Sequence, residues 1–343
     1  MKMIWVDFVE RLRLATSERA VRFVIVSLRF AECCLPIPVL VLVLFIPAAV
    51  TAAYELLMGK RHTTFRQLRH MSETARLSGA QWRPCSLGKV WSARIAMCML
   101  RFLRIWPDKL REPRWNRRCQ FSGLERLEQI LGEGRPVVLA TLHYGNLTEL
   151  YHWIRSRGIG VAFLIAESSN VPAHQNALDL LADRANGLDG VPRRIQNDPS
   201  HLWQVFKFLA QPNRVLLVAI EAHTERDIVV CDLGYSLRVA LGTLRLAATT
   251  RAVVIPCLVS AEKYLRSTIH FGEPLADDIV ASRNQPALGY RHILQQLGPW
   301  IAAQPEQSAR VLIGSLSFLR DSHAFADETV RASTAGTPNR DGA

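Results

Sequence analysis

The chain has 343 residues, 49% of them hydrophobic, with a mean hydropathy of +0.08 and a formal net charge of +12. That length can bury a sizeable core, the hydropathy is high for a soluble protein, and the charge favours anionic partners: lipid headgroups, phosphorylated substrates or an acidic carrier protein. Nucleic acid is disfavoured, since no zinc-finger spacing, helix-turn-helix signal or interleaved aromatic and basic strand pattern is present.

The seven cysteines are scattered and form no C-x-x-C pair, which reads as reduced thiols rather than a disulfide framework or zinc site. Residues 1–32 mix apolar and charged positions and include five arginines, a pattern compatible with an amphipathic helix. Cys33 to Tyr54 then carries no charged residue over 22 positions, enough to cross a bilayer core of about 30 Å as a helix. Pro36, Pro38 and Pro47 and the basic residues on both flanks leave a span and a re-entrant or interfacial hairpin open, with a buried helix of a soluble core as the other reading. From Gln81 to Trp106, Trp91, Ile95, Met99, Phe102 and Trp106 share one face of a helical wheel, with Arg94, Arg101 and Arg104 opposite. Such a helix either lies on a membrane surface or packs that face on the core. The spacing and composition divide the chain into 1–60, a membrane-anchoring helical region, and 61–120, a helical region with this basic helix. An α/β catalytic domain at 121–320 and a disordered tail at 321–343 follow.

The organising stretch is Pro136 to Glu149. Val137 to Leu142 is an apolar run rich in β-branched residues, which predicts a strand buried on both faces. His143 stands where that strand ends, Gly145-Asn146 marks a turn, and Leu147 to Arg157 continues as a helix. Val161 to Ala166 predicts a second strand and Val171 to Asn186 a helix. Asp198-Pro199 opens another helix, Asp as cap and Pro at the first turn. Arg214 to Ile220 is a third buried strand, ending in Glu221. Asp227 to Cys231 and Leu233 to Val239 form a turn-linked pair; Ala240 to Thr250 is a helix, Ala252 to Val259 and Arg266 to Phe271 are strands, and Pro286 to Ala303 is a helix. Strands alternating with helices predict an α/β fold with a mostly parallel central sheet flanked by helices.

Phosphate-loop, dinucleotide and nucleophile-elbow motifs are absent, as is any H-E-x-x-H spacing. Glu221-Ala222-His223-Thr224-Glu225 is a possible ligand cluster but more often a polar loop, and no metal or cofactor is expected. What remains is His143 at the carboxyl edge of the sheet, where such folds bind ligands, with Glu149 nearby. A neutral imidazole can take a proton from a hydroxyl or amine attacking a carbonyl. A carboxylate on its far nitrogen fixes the tautomer and stabilises the imidazolium that forms.

The stretch T-L-H-Y-G-N-L-T-E resembles the first block of the lysophospholipid and lipid A late acyltransferases, a strand followed by His-Phe-Gly-Asn-Trp-Glu. Further similarity lies in Arg214 to Ala222, in Asp232-Leu233-Gly234 with the helix after Ala240, in Arg251 to Pro256, and in Pro305-Glu306-Gln307. An apolar N-terminal anchor is also usual in that family. The resemblance implies a glycerolipid-acyltransferase-like fold and a bacterial inner-membrane enzyme with its catalytic domain facing the cytoplasm. It would move a fatty acyl group from acyl carrier protein or coenzyme A to a hydroxyl or amine of a membrane lipid. His143 would be the base, Glu149 its orienting acid, and Asn146 and Glu221 would position acceptor or thioester. In the family the acid falls five positions after the histidine; here that place is Thr148 and Glu149 follows one later. The family's arginine in the next strand is missing near Ala166, and its later Asp is Glu221. One residue turns a helix by about 100°, so Glu149 reaches His143 only if the turn absorbs the extra residue, with Glu221 as the substitute acid. A non-catalytic lipid-binding or scaffold relative and a thioester hydrolase are the other readings.

Overall fold

The computed structural model describes residues 82–102, 119–165, 191–192, 194–197, 200–221, 228–232, 235–262, 266–282, 286–308 and 316–318, with residues 68 and 312 and most positions of 39–50. In chain order the named elements begin with α1 (Leu87–Phe102), β1 (Cys119–Ser122), α2 (Leu124–Gly132), β2 (Val137–Thr141), α3 (Leu147–Ser156), β3 (Gly160–Ile165) and β4 (Arg194–Gln196). They continue with α4 (Leu202–Leu209), β5 (Arg214–Ala219), β6 (Ile228–Asp232), β7 (Tyr235–Val239), α5 (Gly242–Thr250), β8 (Val253–Ala261) and β9 (Ser267–Phe271). The last are α6 (Asp277–Ala281), α7 (Pro286–Ala303), a 3₁₀ turn at Pro305–Gln307 and β10 (Leu316–Phe318).

Seven strands form one sheet in the order β1-β9-β8-β2-β5-β3-β4. From β8 to β4 the neighbours are parallel, β9 is antiparallel to β8, and β1 runs parallel to β9. The sheet is thus the mostly parallel α/β arrangement expected, with β2 central. Every residue of β2 is buried, because helices cover both faces. Leu139 and Leu217 face the side of α2 and α3, in one cluster with Leu127, Leu150, Trp153 and Ile154. Val138, Ala140, Leu216 and Val218 face the opposite side, clustered with residues of α4, α5 and α7 such as Val205, Phe208, Ala247, Ile293 and Leu297. The period of two along each strand divides the core into these two layers. A separate three-stranded antiparallel sheet, β10-β7-β6, contains the expected turn-linked pair.

Several expectations change. Two elements, β1 and α2, precede the organising stretch, where no strand or helix is read from the sequence. Helix α4 starts at Leu202 with His201 at its cap, later than Asp198-Pro199 suggested. The basic helix α1 buries Ile95 and Met99 of its predicted stripe, and Val90 and Met97 with them. It packs on β8 and the 3₁₀ turn, which makes it core-facing. Among the described residues no helix is long and apolar enough to cross a membrane; much of Cys33–Tyr54, all of Val171–Asn186 and the tail from 319 lie outside them.

The two layers give a direct stability test. Replacing Leu139, wholly buried in β2, by Ala is expected to lower the unfolding free energy by about 2–5 kcal/mol. Trp203→Ala, at a side chain 58% exposed on α4, is expected to change it by no more than about 0.5 kcal/mol. Urea denaturation followed by circular dichroism separates the two.

Candidate active site

Strands β2 and β5 pair in parallel with Val137 opposite Val215 and Thr141 opposite Ala219. Continued past the last paired residues, the same register brings His143 opposite Glu221. The backbone holds this extension: Ile220 donates to Thr141 O at 2.9 Å, and Glu221 makes an isolated antiparallel bridge with Val239 of β7. The result is a pair at the carboxyl rim of the central strands. His143 Nδ1 lies 2.7 Å from Glu221 Oε1, and the His143 backbone N–H donates to that same oxygen at 2.5 Å.

The environments of the partners differ. The Glu221 side chain has no exposed surface, whereas that of His143 is 48% exposed. Burial opposes charging the imidazole, yet the Glu221 hydrogen bond and negative charge outweigh it and hold the His143 pKa above the ordinary histidine value. An ionised carboxylate only accepts, so Nδ1 carries the proton and Nε2 presents a lone pair. An imidazole oriented in this way can take a proton at Nε2 and be stabilised as imidazolium by the acid behind it.

The turn after His143 is held by distant chain. Tyr144 N–H donates to Leu142 O at 2.7 Å, and Tyr144 bridges Ser308. The buried Tyr144 hydroxyl reaches Trp300 O at 3.2 Å and Gln304 O at 3.1 Å. Gly145 has φ +57°, and a Cβ there would stand 1.8 Å from Val259 O, so only glycine allows the chain to pass the end of β8. Gly145 N–H donates to Gln307 O at 3.0 Å. The Gln307 side chain binds both polar backbone groups of Ala261, accepting from N–H at 2.7 Å and donating to O at 2.9 Å. Arg94 of α1 adds a hydrogen bond to Ser308 O at 3.0 Å.

Glu149 has a different place. It is buried in the first turn of α3, where Asn146 Nδ2 donates to its Oε2 at 3.2 Å and the Cys119 thiol lies 3.7 Å from its Oε1. The carboxylate on His143 is therefore Glu221 and not Glu149, which corrects the pairing expected from the sequence. Six positions along the chain carry Glu149 onto the first turn of the helix, where its carboxylate meets the Asn146 amide and the Cys119 thiol at the start of β1. Asn146, at the cap of α3, is also buried, with its amide on Glu149. Of the four residues singled out by sequence, two pairs form: His143 with Glu221, and Asn146 with Glu149. Of the Glu221–Glu225 loop only Glu221 is described, and among the described residues no group of His, Cys, Asp or Glu is arranged to hold a metal. Gln307 was legible only as part of a motif; its paired hydrogen bonds to Ala261 had no signal in local spacing.

Gly145→Ala would force a left-handed residue, which costs about 1–2 kcal/mol from the backbone alone, and would drive a methyl group into Val259 O. A clear drop in melting temperature is expected by differential scanning calorimetry, larger than for Gly134→Ala, where φ is +73° but nothing lies within 4 Å of the added Cβ.

No curated protein matches the chain. The family described as bacterial lipid A biosynthesis acyltransferase matches residues 89–309, a stretch that runs from α1 through the parallel sheet and the His143–Glu221 pair to the Gln307 turn. On a match over more than half its length, the chain belongs to the bacterial lipid A biosynthesis acyltransferase family.

Proposed function

We propose that the protein transfers a fatty acyl group from a thioester, carried by acyl carrier protein or coenzyme A, to a hydroxyl or amine of a lipid acceptor. The observation that carries this reading is the 2.7 Å contact of His143 Nδ1 with the buried Glu221 carboxylate, at a strand end on the sheet's rim. His143 Nε2 removes the acceptor proton as the acceptor attacks the thioester carbonyl. The tetrahedral intermediate then collapses, and the departing thiolate takes the proton from the imidazolium. No protein nucleophile is required. Glu221 orients the ring through Nδ1 and balances the charge it gains.

Lipid association is supported by a run of large apolar side chains. Val39, Leu42, Phe45, Ile46 and Val50 are exposed in the helical positions described between 39 and 50, while Leu44 and Ala48 are buried. A lipid surface is the natural cover for such a stripe. The net charge of +12 suits an acidic carrier protein or phosphorylated headgroups. The placement of the catalytic domain against the inner face of the bacterial cytoplasmic membrane follows from the same reading. Thr148 at the family's acidic position and the arginine missing near Ala166 favour a relative without turnover; the Glu221 carboxylate supplies the charge lost at Thr148 from the adjacent strand.

Purified enzyme given labelled acyl carrier protein and a lipid extract, with products resolved by mass spectrometry, is expected to form acylated lipid. His143→Ala is expected to lower the rate by about 10²–10⁴-fold, and unchanged turnover would remove the assignment. Free fatty acid formed at a rate indifferent to added acceptor would mark a hydrolase instead.

The pH dependence distinguishes the two acids. The base works neutral, so the rate of the native enzyme rises with pH through a pKa above the usual 6.5. In Glu221→Gln the raising charge is gone and burial acts alone, so the acidic limb moves to lower pH while the maximal rate falls. Glu149→Gln is expected to leave the limb where it was. A limb that moves in Glu149→Gln and not in Glu221→Gln would reverse the roles.

A further inference from the structure

We infer that Gln307 is a positioning residue for the reaction, clamping the turn that follows His143 to the end of β8. This inference rests on the reading of His143 as the base, but its geometry is independent of substrate. Three strand ends meet at the rim: β2 delivers His143, β5 delivers Glu221, and β8 delivers Ala261 and the carbonyl of Val259. The first two are joined by the His143–Glu221 contacts. The connection to β8 runs through Gln307. Its main-chain oxygen takes the Gly145 N–H at 3.0 Å, and its amide binds Ala261 N–H at 2.7 Å and Ala261 O at 2.9 Å.

Gln307 is 3% exposed, so these bonds are made away from competing water. The clamp is itself secured. Gln307 Nε2 also meets Gln304 Oε1, Ser308 bridges Tyr144, and Arg94 binds Ser308 O. Gly145 stands only two residues beyond His143 and has no side chain with which to hold itself. A shift there swings the imidazole, and the same backbone carries the His143 N–H that shares Glu221 Oε1 with the ring. The clamp therefore acts on the base through the turn.

Among the described residues, Arg94 and four carboxylates stand around this turn, Arg94 on Ser308 O. Glu221 is on the imidazole, Glu149 lies beneath Asn146, and Glu262 and Glu306 act on Tyr144, whose phenol burial and these two charges push up. Gln307 is uncharged, so its replacement changes His143 through position and not through added or removed charge.

A matched control exists in the same molecule. Gln296 of α7 makes the same kind of paired hydrogen bonds to the backbone of Glu273, accepting from N–H at 2.6 Å and donating to O at 3.2 Å, after β9. Two replacements of Gln307 are used, Ala and Met, the second filling the volume without the bonds. Each is compared with Gln296→Met in the full-length protein. The titration of His143 is followed by NMR of histidine-labelled protein, its resonance identified by its loss in His143→Ala, alongside kcat and KM.

The Gln307 variants are expected to move the His143 titration to lower pH, and to lower kcat by up to about 10²-fold, the scale of a 1 Å misplacement, with KM little changed. Gln296→Met is expected to do neither at an equal loss of melting temperature. An unmoved titration and kcat in a folded Gln307→Met protein would overturn the inference, as would equal shifts in Gln296→Met. Should Gln307→Ala fail to fold, Gln307→Met decides. Full activity in His143→Ala would instead sink the assignment of the base, while the titration still reports whether the clamp positions the ring.

Discussion

The parallel register of β2 and β5 is the constraint from which the site follows. Two residues beyond the last paired positions, Thr141 and Ala219, it puts an imidazole and a carboxylate in contact. Both strands are buried on both faces, so a slip of one residue would move every apolar side chain of one strand to the wrong layer. The alignment of His143 with Glu221 is therefore enforced by Val138, Leu139, Ala140, Leu216, Leu217 and Val218, none of which takes part in chemistry. The hydrophobic core supplies the geometry, and the site is carried at its end.

Two buried carboxylates stand near this rim, and their surroundings give them different work. Glu221 shares one oxygen between the ring and the backbone of His143, so its charge is spent on the imidazole. Glu149 holds the cap of α3 through Asn146 and approaches the thiol of Cys119, so it braces the helix that follows the turn. The turn is thus supported from both sides: Gln307 at Gly145, and Asn146 with Glu149 just after it. Its tight passage past Val259 explains why a glycine stands there.

Segments remote in sequence converge on this turn. Arg94 in α1 and Ser308 after the 3₁₀ turn meet by a hydrogen bond, and Tyr144 reaches the last turn of α7. The family match spans this arrangement, beginning within α1 and ending just past Ser308. Of the stripe in α1 that suited a membrane surface, Ile95 and Met99 are core packing, in a helix that lies against β8 and the 3₁₀ turn. The exposed apolar stripe lies instead in the helical positions between 39 and 50.

Local composition was enough to reveal most strands, the helices α3, α5 and α7, and the place of His143 at a strand end, because buried parallel strands write themselves as continuous apolar runs and a strand-end histidine stands out against them. It was not enough for β1 and α2, where a four-residue edge strand beside many arginines is too short to show a period. Nor could it choose between Glu149 and Glu221. Proximity along the chain favours Glu149, six residues from His143, over Glu221, seventy-eight residues away. Only strand pairing across the sheet reverses that order, since a parallel ladder joins residues by register whatever their separation along the chain. The same holds for Gln307, which reaches the site by bonding to the end of β8, a contact that exists only once the sheet has formed.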